Sequence, residues 1–123
     1  MLRSLFALCL IWGLRGCQPM QDITTESAVS VRPGTCLVYR FHQHSSVGIE
    51  AEYQIDDSSI VRFKTQETHY HHPEKLQPGW TGGDSAEGQF IFEALKPGQT
   101  VLHVRHLFRG ELEREQTVAV EVR

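Results

Sequence analysis

The feature that most constrains this chain is a side-chain alternation of period two, cut by turn signals about every ten residues. Ile49, Ala51, Tyr53 and Ile55 fall on one side of a segment whose other side is Glu50, Glu52 and Gln54. Successive side chains of an extended backbone point to opposite faces, so this reads as a strand with an apolar inner face and a polar outer one. Residues 36–41 read the same way, with Leu37, Tyr39 and Phe41 as the core face and Cys36, Val38 and Arg40 behind them. Residues 28–31, 60–63, 89–94, 100–105 and 116–122 continue the series, and Val118, Val120 and Val122 line one face of the last. The intervening Arg32-Pro33-Gly34-Thr35, Asp56-Asp57-Ser58-Ser59 and Lys96-Pro97-Gly98 carry the residues of tight turns. After the N-terminal segment, no stretch sustains a 3.6-residue apolar period. About seven short strands with regular turns predict an all-β chain, an Ig-like antiparallel β-sandwich. The Cys–Trp–Cys pattern of antibody domains is absent.

The first residues follow a different rule. Arg3 precedes an apolar run at 5–14, which is shorter than the roughly 20 residues a helix needs to cross a bilayer. Residues 1–17 therefore read as a signal segment, 18–25 as a linker and 26–123 as one sandwich domain. Leu14-Arg15-Gly16-Cys17 resembles the lipobox of bacterial lipoproteins, with Arg15 where a small or apolar residue is usual. Lipidation at Cys17, simple cleavage and a retained anchor all stay open. The expectation is an exported protein of the bacterial periplasm or a lipoprotein of the outer membrane or cell surface. It would touch a membrane only through lipid at Cys17. Of the three cysteines, Cys9 leaves with the leader; if Cys17 carries lipid, Cys36 has no partner and the fold has no internal disulfide.

Composition closes off several functions. The net charge is −3 and mixed along the chain, without the Lys/Arg run that a nucleic-acid backbone demands. There is no Gly-x-Ser-x-Gly elbow, phosphate-binding glycine loop or carboxylate pair, so no enzyme activity and no cofactor are expected. Cys36 sits at a strand start, a structural position rather than that of a nucleophile served by His42 or His44. The seven histidines raise a metal reading centred on His69, His71 and His72, because imidazole suits zinc, copper and nickel. No paired Cys-x-x-Cys or His-x-x-Glu-His signature anchors them, and a solvated polar loop explains them as well.

Three segments carry a resemblance. They are His44-Ser45-Ser46-Val47-Gly48, then Gly79-Trp80-Thr81-Gly82-Gly83 with Tyr70, Pro73 and Leu76 upstream, then Arg105-His106-Leu107-Phe108 after Lys96-Pro97-Gly98. From about Thr24 to Val122 the chain resembles the chagasin family of cysteine-protease inhibitors. That family's first loop reads Asn-Pro-Thr-Thr-Gly, where Gly48 matches and Ser46 keeps a hydroxyl. Its second reads Gly-x-Gly-Gly, matched by Gly82 and Gly83. Its third opens Arg-Pro-Trp; Arg105 matches, His106 and Leu107 do not, and Phe108 places an aromatic one position later.

The resemblance implies an Ig-like sandwich with three loops at one end, a monomer whose partner is a papain-like cysteine protease. The loops would block its cleft reversibly, with no nucleophile of their own. The residue chemistry allows this. Loop aromatics such as Trp80 and Phe108 suit interface anchors, and glycines at 82 and 83 let backbone approach a wall closely. Trp80 as a core plug, the Gly82-Gly83 pair as a plain turn and Arg105 as a solvated strand-end charge remain open beside it. The alternative is a His-rich envelope module that binds metal or protein without inhibiting, since Ig-like sandwiches host unrelated functions.

Overall fold

The computed structural model describes residues 19–79 and 82–123. Within them the alternation does what a pleated backbone dictates: Leu37, Tyr39, Phe41, Phe90, Phe92, Leu102, Val104, Val118, Val120 and Val122 all turn inward and are buried together. The strands are β1 (Met20–Asp22), β2 (Ala28–Val31), β3 (Cys36–Gln43), β4 (Ile49–Ile55), β5 (Val61–Tyr70), β6 (Ala86–Ala94), β7 (Gly98–Phe108) and β8 (Glu111–Val122). They form two four-stranded sheets, ordered β1-β3-β6-β5 and β2-β8-β7-β4. The chain is an all-β sandwich of the Ig-like kind, with the core between the sheets.

Aromatic rings fill the space between the sheets. Phe41 and Phe90 lie 4.4 Å apart, Tyr53 stacks on Phe63 at 4.5 Å, and Tyr53 meets Phe92 edge-on at 5.4 Å. Such pairs add about 0.5–1.5 kcal/mol each beyond the area they bury. Tyr39 is the polar exception. Its ring is fully buried, and its hydroxyl donates to Gln116 Oε1 at 2.9 Å. The phenol has one proton, so the 2.8 Å contact with His106 Nε2 must be a donation from the imidazole. Gln116 Nε2 then donates to the Thr24 carbonyl at 2.6 Å. One polar chain thus joins β3, β7, β8 and the residues after β1, and every group in it is satisfied.

The structure departs from the sequence reading in several ways, beyond the longer spans of β6, β7 and β8. First, the sandwich is not wholly antiparallel: β1 pairs in parallel with β3, and β2 with β8. The chain leaves β1 on one sheet, plugs the core with fully buried Ile23, and enters β2 on the other. Second, β1 lies in residues read as linker. Met20-Gln21-Asp22 is too short and polar to show alternation, yet it serves the free edge of β3, with the Cys36 amide donating to the Pro19 carbonyl at 3.0 Å.

Third, β5 runs to Tyr70 rather than stopping at 63, because β6 pairs with it from Ala94 up to Ala86. Its outer half is an edge strand exposed to water, which leaves no apolar signature to read. Fourth, both faces of β3 are buried at its start, where Cys36, Val38 and Ile91 form a second small cluster. Cys36 is disulfide-bonded, whereas the sequence reading left it alone only if Cys17 carries lipid. The signal segment and Cys17 lie outside the described residues.

Candidate interaction surface at the loop end

Register brings three connections to one end of the sandwich. β3 ends at Gln43 opposite Ala86, the first residue of β6, and Ala86 also faces Tyr70, the last of β5. β4 begins at Ile49 opposite Phe108, the last residue of β7, which in turn faces Glu111. Residues 44–48, 71–85 and 109–110 therefore leave from the same edge.

The first connection is a single 3₁₀ turn, Ser45–Val47, closed by Gly48 at φ +83°. The Gly48 carbonyl accepts the Arg109 amide at 2.8 Å. A Cβ on Gly48 would sit 2.9 Å from Arg109 Cγ and 3.0 Å from its amide nitrogen, so the approach of the two backbones requires glycine. The third connection is the two-residue turn Arg109-Gly110, both at positive φ (51° and 79°), as a type I′ hairpin requires. The Arg109 guanidinium lies over the Phe108 ring at 5.2 Å.

The second connection starts where the His71 amide bonds the Ser85 carbonyl at 2.9 Å. It then makes a 3₁₀ turn at Pro73–Leu76. Gly83 lies against this turn so closely that a Cβ would fall 2.6 Å from the Lys75 carbonyl oxygen. Asp84 follows and reaches across to the first connection. Its Oδ2 accepts the Ser46 amide at 2.8 Å and its Oδ1 accepts the Ser46 hydroxyl at 2.5 Å. His44 Nε2 lies 3.2 Å from Asp84 Oδ1 and 3.1 Å from the Gly82 carbonyl. Both are acceptors, so the proton is on Nε2. The Ser46 hydroxyl is the main reason the Asp84 carboxyl is held below the usual carboxylate range.

His44, Ser45, Ser46, Val47, Gly48, Gly82 and Gly83 thus gather at this end, as the sequence placed them, while Trp80 and Thr81 lie outside the described residues. The third predicted segment needs correction. Arg105, His106, Leu107 and Phe108 are not a loop but the last four residues of β7, paired on both sides. Arg105 stands on the outer face between Glu52 (3.5 Å) and Glu115 (3.9 Å), a solvated cross-strand ladder. His106 points inward to Tyr39. Burial, with Arg114 adding to it and Glu113 opposing, lowers its affinity for a second proton. Leu107 is opposite Glu50 and Leu112, and Phe108 alone of the four is an exposed large hydrophobic at the tip. The strand runs on because the hairpin turn sits at Arg109-Gly110, a pair whose charged flanks read as loop.

The histidine triplet does not converge. His69 lies 3.5 Å from Glu67, His71 Nδ1 contacts the Ser85 hydroxyl at 3.1 Å, and His72 Nδ1 lies 3.2 Å from Glu74. Among the described residues no three His, Cys, Asp or Glu side chains are grouped to hold a metal. His71 instead stacks on His42, with ring centres 6.1 Å apart.

Sequence reading missed Asp84, Arg109 and Leu112. An aspartate directly after Gly-Gly was the available signal for Asp84, since short carboxylates bond nearby backbone amides. Val47, Leu76, Phe108 and Leu112 add exposed apolar surface in or beside the three connections.

No family model matches the chain, and no curated protein matches it. Solved structures do. The chain is similar to the crystal structure of the cysteine protease inhibitor EhICP2 from Entamoeba histolytica, with a TM-score of 0.61 and 14% identity over 85% of this chain and 94% of that one. It is also similar to the solution structure of amebosin, with a TM-score of 0.52 and 14% identity over 85% of this chain and 96% of that one. At this identity the likeness is one of fold: over most of its length the chain shares the β-sandwich of these two structures.

Proposed function

We propose that this chain is a reversible inhibitor of papain-like cysteine proteases that seats its loop end in the active-site cleft. The observation that carries this reading is the cross-bonding of three connections at one end of the sandwich, through Ser46–Asp84, His44–Gly82 and Gly48–Arg109. A wedge acts by shape, and a wedge ordered before binding loses less entropy on entering a cleft. Val47, Phe108 and Leu112 offer the apolar anchors on which interface energy concentrates. Blocking access to a catalytic thiol needs no nucleophile, which fits a loop end of hydroxyl, imidazole and carboxylate groups bonded to one another. The fold it shares with a cysteine protease inhibitor supports the reading, and so does the independent resemblance of the Gly82-Gly83 loop to the chagasin pattern.

Export belongs to the same proposal. Residues 1–17, with Arg3 ahead of a short apolar run, have the make-up of a leader. The test is a titration of the purified chain against a small panel of papain-like enzymes. Inhibition should rise with dose, reverse on dilution and weaken by about tenfold or more in Phe108→Ala, the loss typical of an interface anchor. Full protease activity in the presence of a micromolar excess of folded protein would overturn it.

A further inference from the structure

The three connections are not held alike, and one side chain stands out. We propose that Asp84 is the positioning residue of the loop end: it fixes the first connection against the second, and so sets the outline that a partner meets. This rests on the inhibitor reading for its consequence, but not for its geometry.

Ser46 lies at the centre of the only turn of the first connection, flanked by Ser45 and exposed Val47. No bond within that turn uses its amide: the turn's own backbone bonds are Val47 N to His44 O and Gly48 N to Ser45 O. Both donors of Ser46 go instead to one carboxylate 38 positions away in sequence. The same carboxylate takes the His44 imidazole from the other end of the turn. Asp84 thus grips the turn at its start and at its middle, while its own backbone follows Gly83, which is lodged against Lys75. Bonds to an ionised acceptor are about twice as strong as neutral ones, which lets three contacts order a solvent-facing loop. Asn or Ser at position 84 would keep an acceptor but not two ionised oxygens in this arrangement. The role is one of positioning, since the Asp84 carboxylate is spent on its own chain.

The test is backbone amide exchange, read on the full chain, with inhibition as a second measurement. In Asp84→Ala the Ser46 amide should exchange about tenfold faster or more, the loss expected for one charge-assisted bond. The Leu102 and Val104 amides in the central strand β7 should keep wild-type rates. Asp84→Asn should fall between. Ser46→Ala removes only the hydroxyl and should leave its amide partly protected, which separates the carboxylate's two grips. Against a protease the wild-type chain inhibits, Asp84→Ala should raise the inhibition constant about tenfold or more while Asp84→Asn recovers part of it. Unchanged Ser46 exchange in Asp84→Ala would overturn the proposal. So would faster exchange spread evenly through β7, because that marks a general loss of stability. Should the wild-type chain inhibit nothing, the proposed function falls while the exchange result still decides the role of Asp84.

Discussion

The interior of the sandwich and its loop end are built on opposite principles. Between the sheets, order comes from apolar area and ring packing, with a paired polar chain running through Tyr39, His106 and Gln116. At the loop end the described contacts between connections are polar and solvent-facing, and the larger apolar side chains there stay uncovered. The difference separates two tasks: the interior supplies free energy of folding, and the loop end fixes a surface whose apolar groups are left for something else to bury. Damage to one should therefore be readable without damage to the other.

The largest effect should come from the interior. Phe92 is fully buried and packs against Tyr53 and Phe63 at 5.4 and 6.0 Å. Phe92→Ala should cost about 3–5 kcal/mol, seen as a lower urea midpoint, because it removes the ring and leaves a cavity. That is a large share of the roughly 5–15 kcal/mol typical of a small domain. Whatever fraction stays folded should keep wild-type Ser46 amide protection relative to the core. If Ser46 protection is lost in step with Leu102, the two regions are one unit and the comparison fails.

Gly48 tests the boundary from the other side. At φ +83° an alanine costs about 1–2 kcal/mol, and its Cβ would press on Arg109. Gly48→Ala should lower stability by that modest amount but break the Arg109 N–H to Gly48 carbonyl bond, freeing the hairpin tip. Gly48→Asn tolerates the backbone angle better yet brings the same Cβ, so it should regain stability without regaining protection of the Arg109 amide. Equal recovery of both would show that the angle matters and the close approach does not.

How much of this was legible follows from the same division. Buried alternation is a signal that water imposes on sequence, so the core faces of β3 and β8 were readable residue by residue, while β4 buries its apolar side only in part and leaves Tyr53 exposed. Where a strand has water on both sides, as in the outer halves of β5 and β8, neither face must be apolar and the strand reads as loop. His106 and Leu107 were read as loop because β7 carries a polar imidazole, not an apolar side chain, on its inner face at this point. Glycine marked Gly48 and Gly83, because close backbone approach admits little else. Asp84 carried no such mark: its role depends on Ser46, 38 positions away, and a pairing across two loops exists only after the strands set the register.

The smallest effect sharpens the comparison through pH. Burial lowers the native pKa of His106 below its unfolded value of about 6.5. A group that is harder to protonate in the native state makes the unfolded state bind more protons, so stability falls as pH drops below the unfolded value and levels off once the native imidazole is also charged. The Asp84 carboxyl is shifted down for a different reason, its bonds to Ser46, and its contribution is lost only as pH falls below the unfolded aspartate value of about 3.9 and on through the lower native one. Mild acid should therefore loosen the interior around Tyr39 before it releases the loop end. The urea midpoint of the wild-type chain should decline from pH 7 to pH 5, and that of His106→Gln should decline less, while the Ser46 amide keeps its relative protection over the same interval. Equal declines in both proteins would assign the acid sensitivity to some other group and remove His106 from the account.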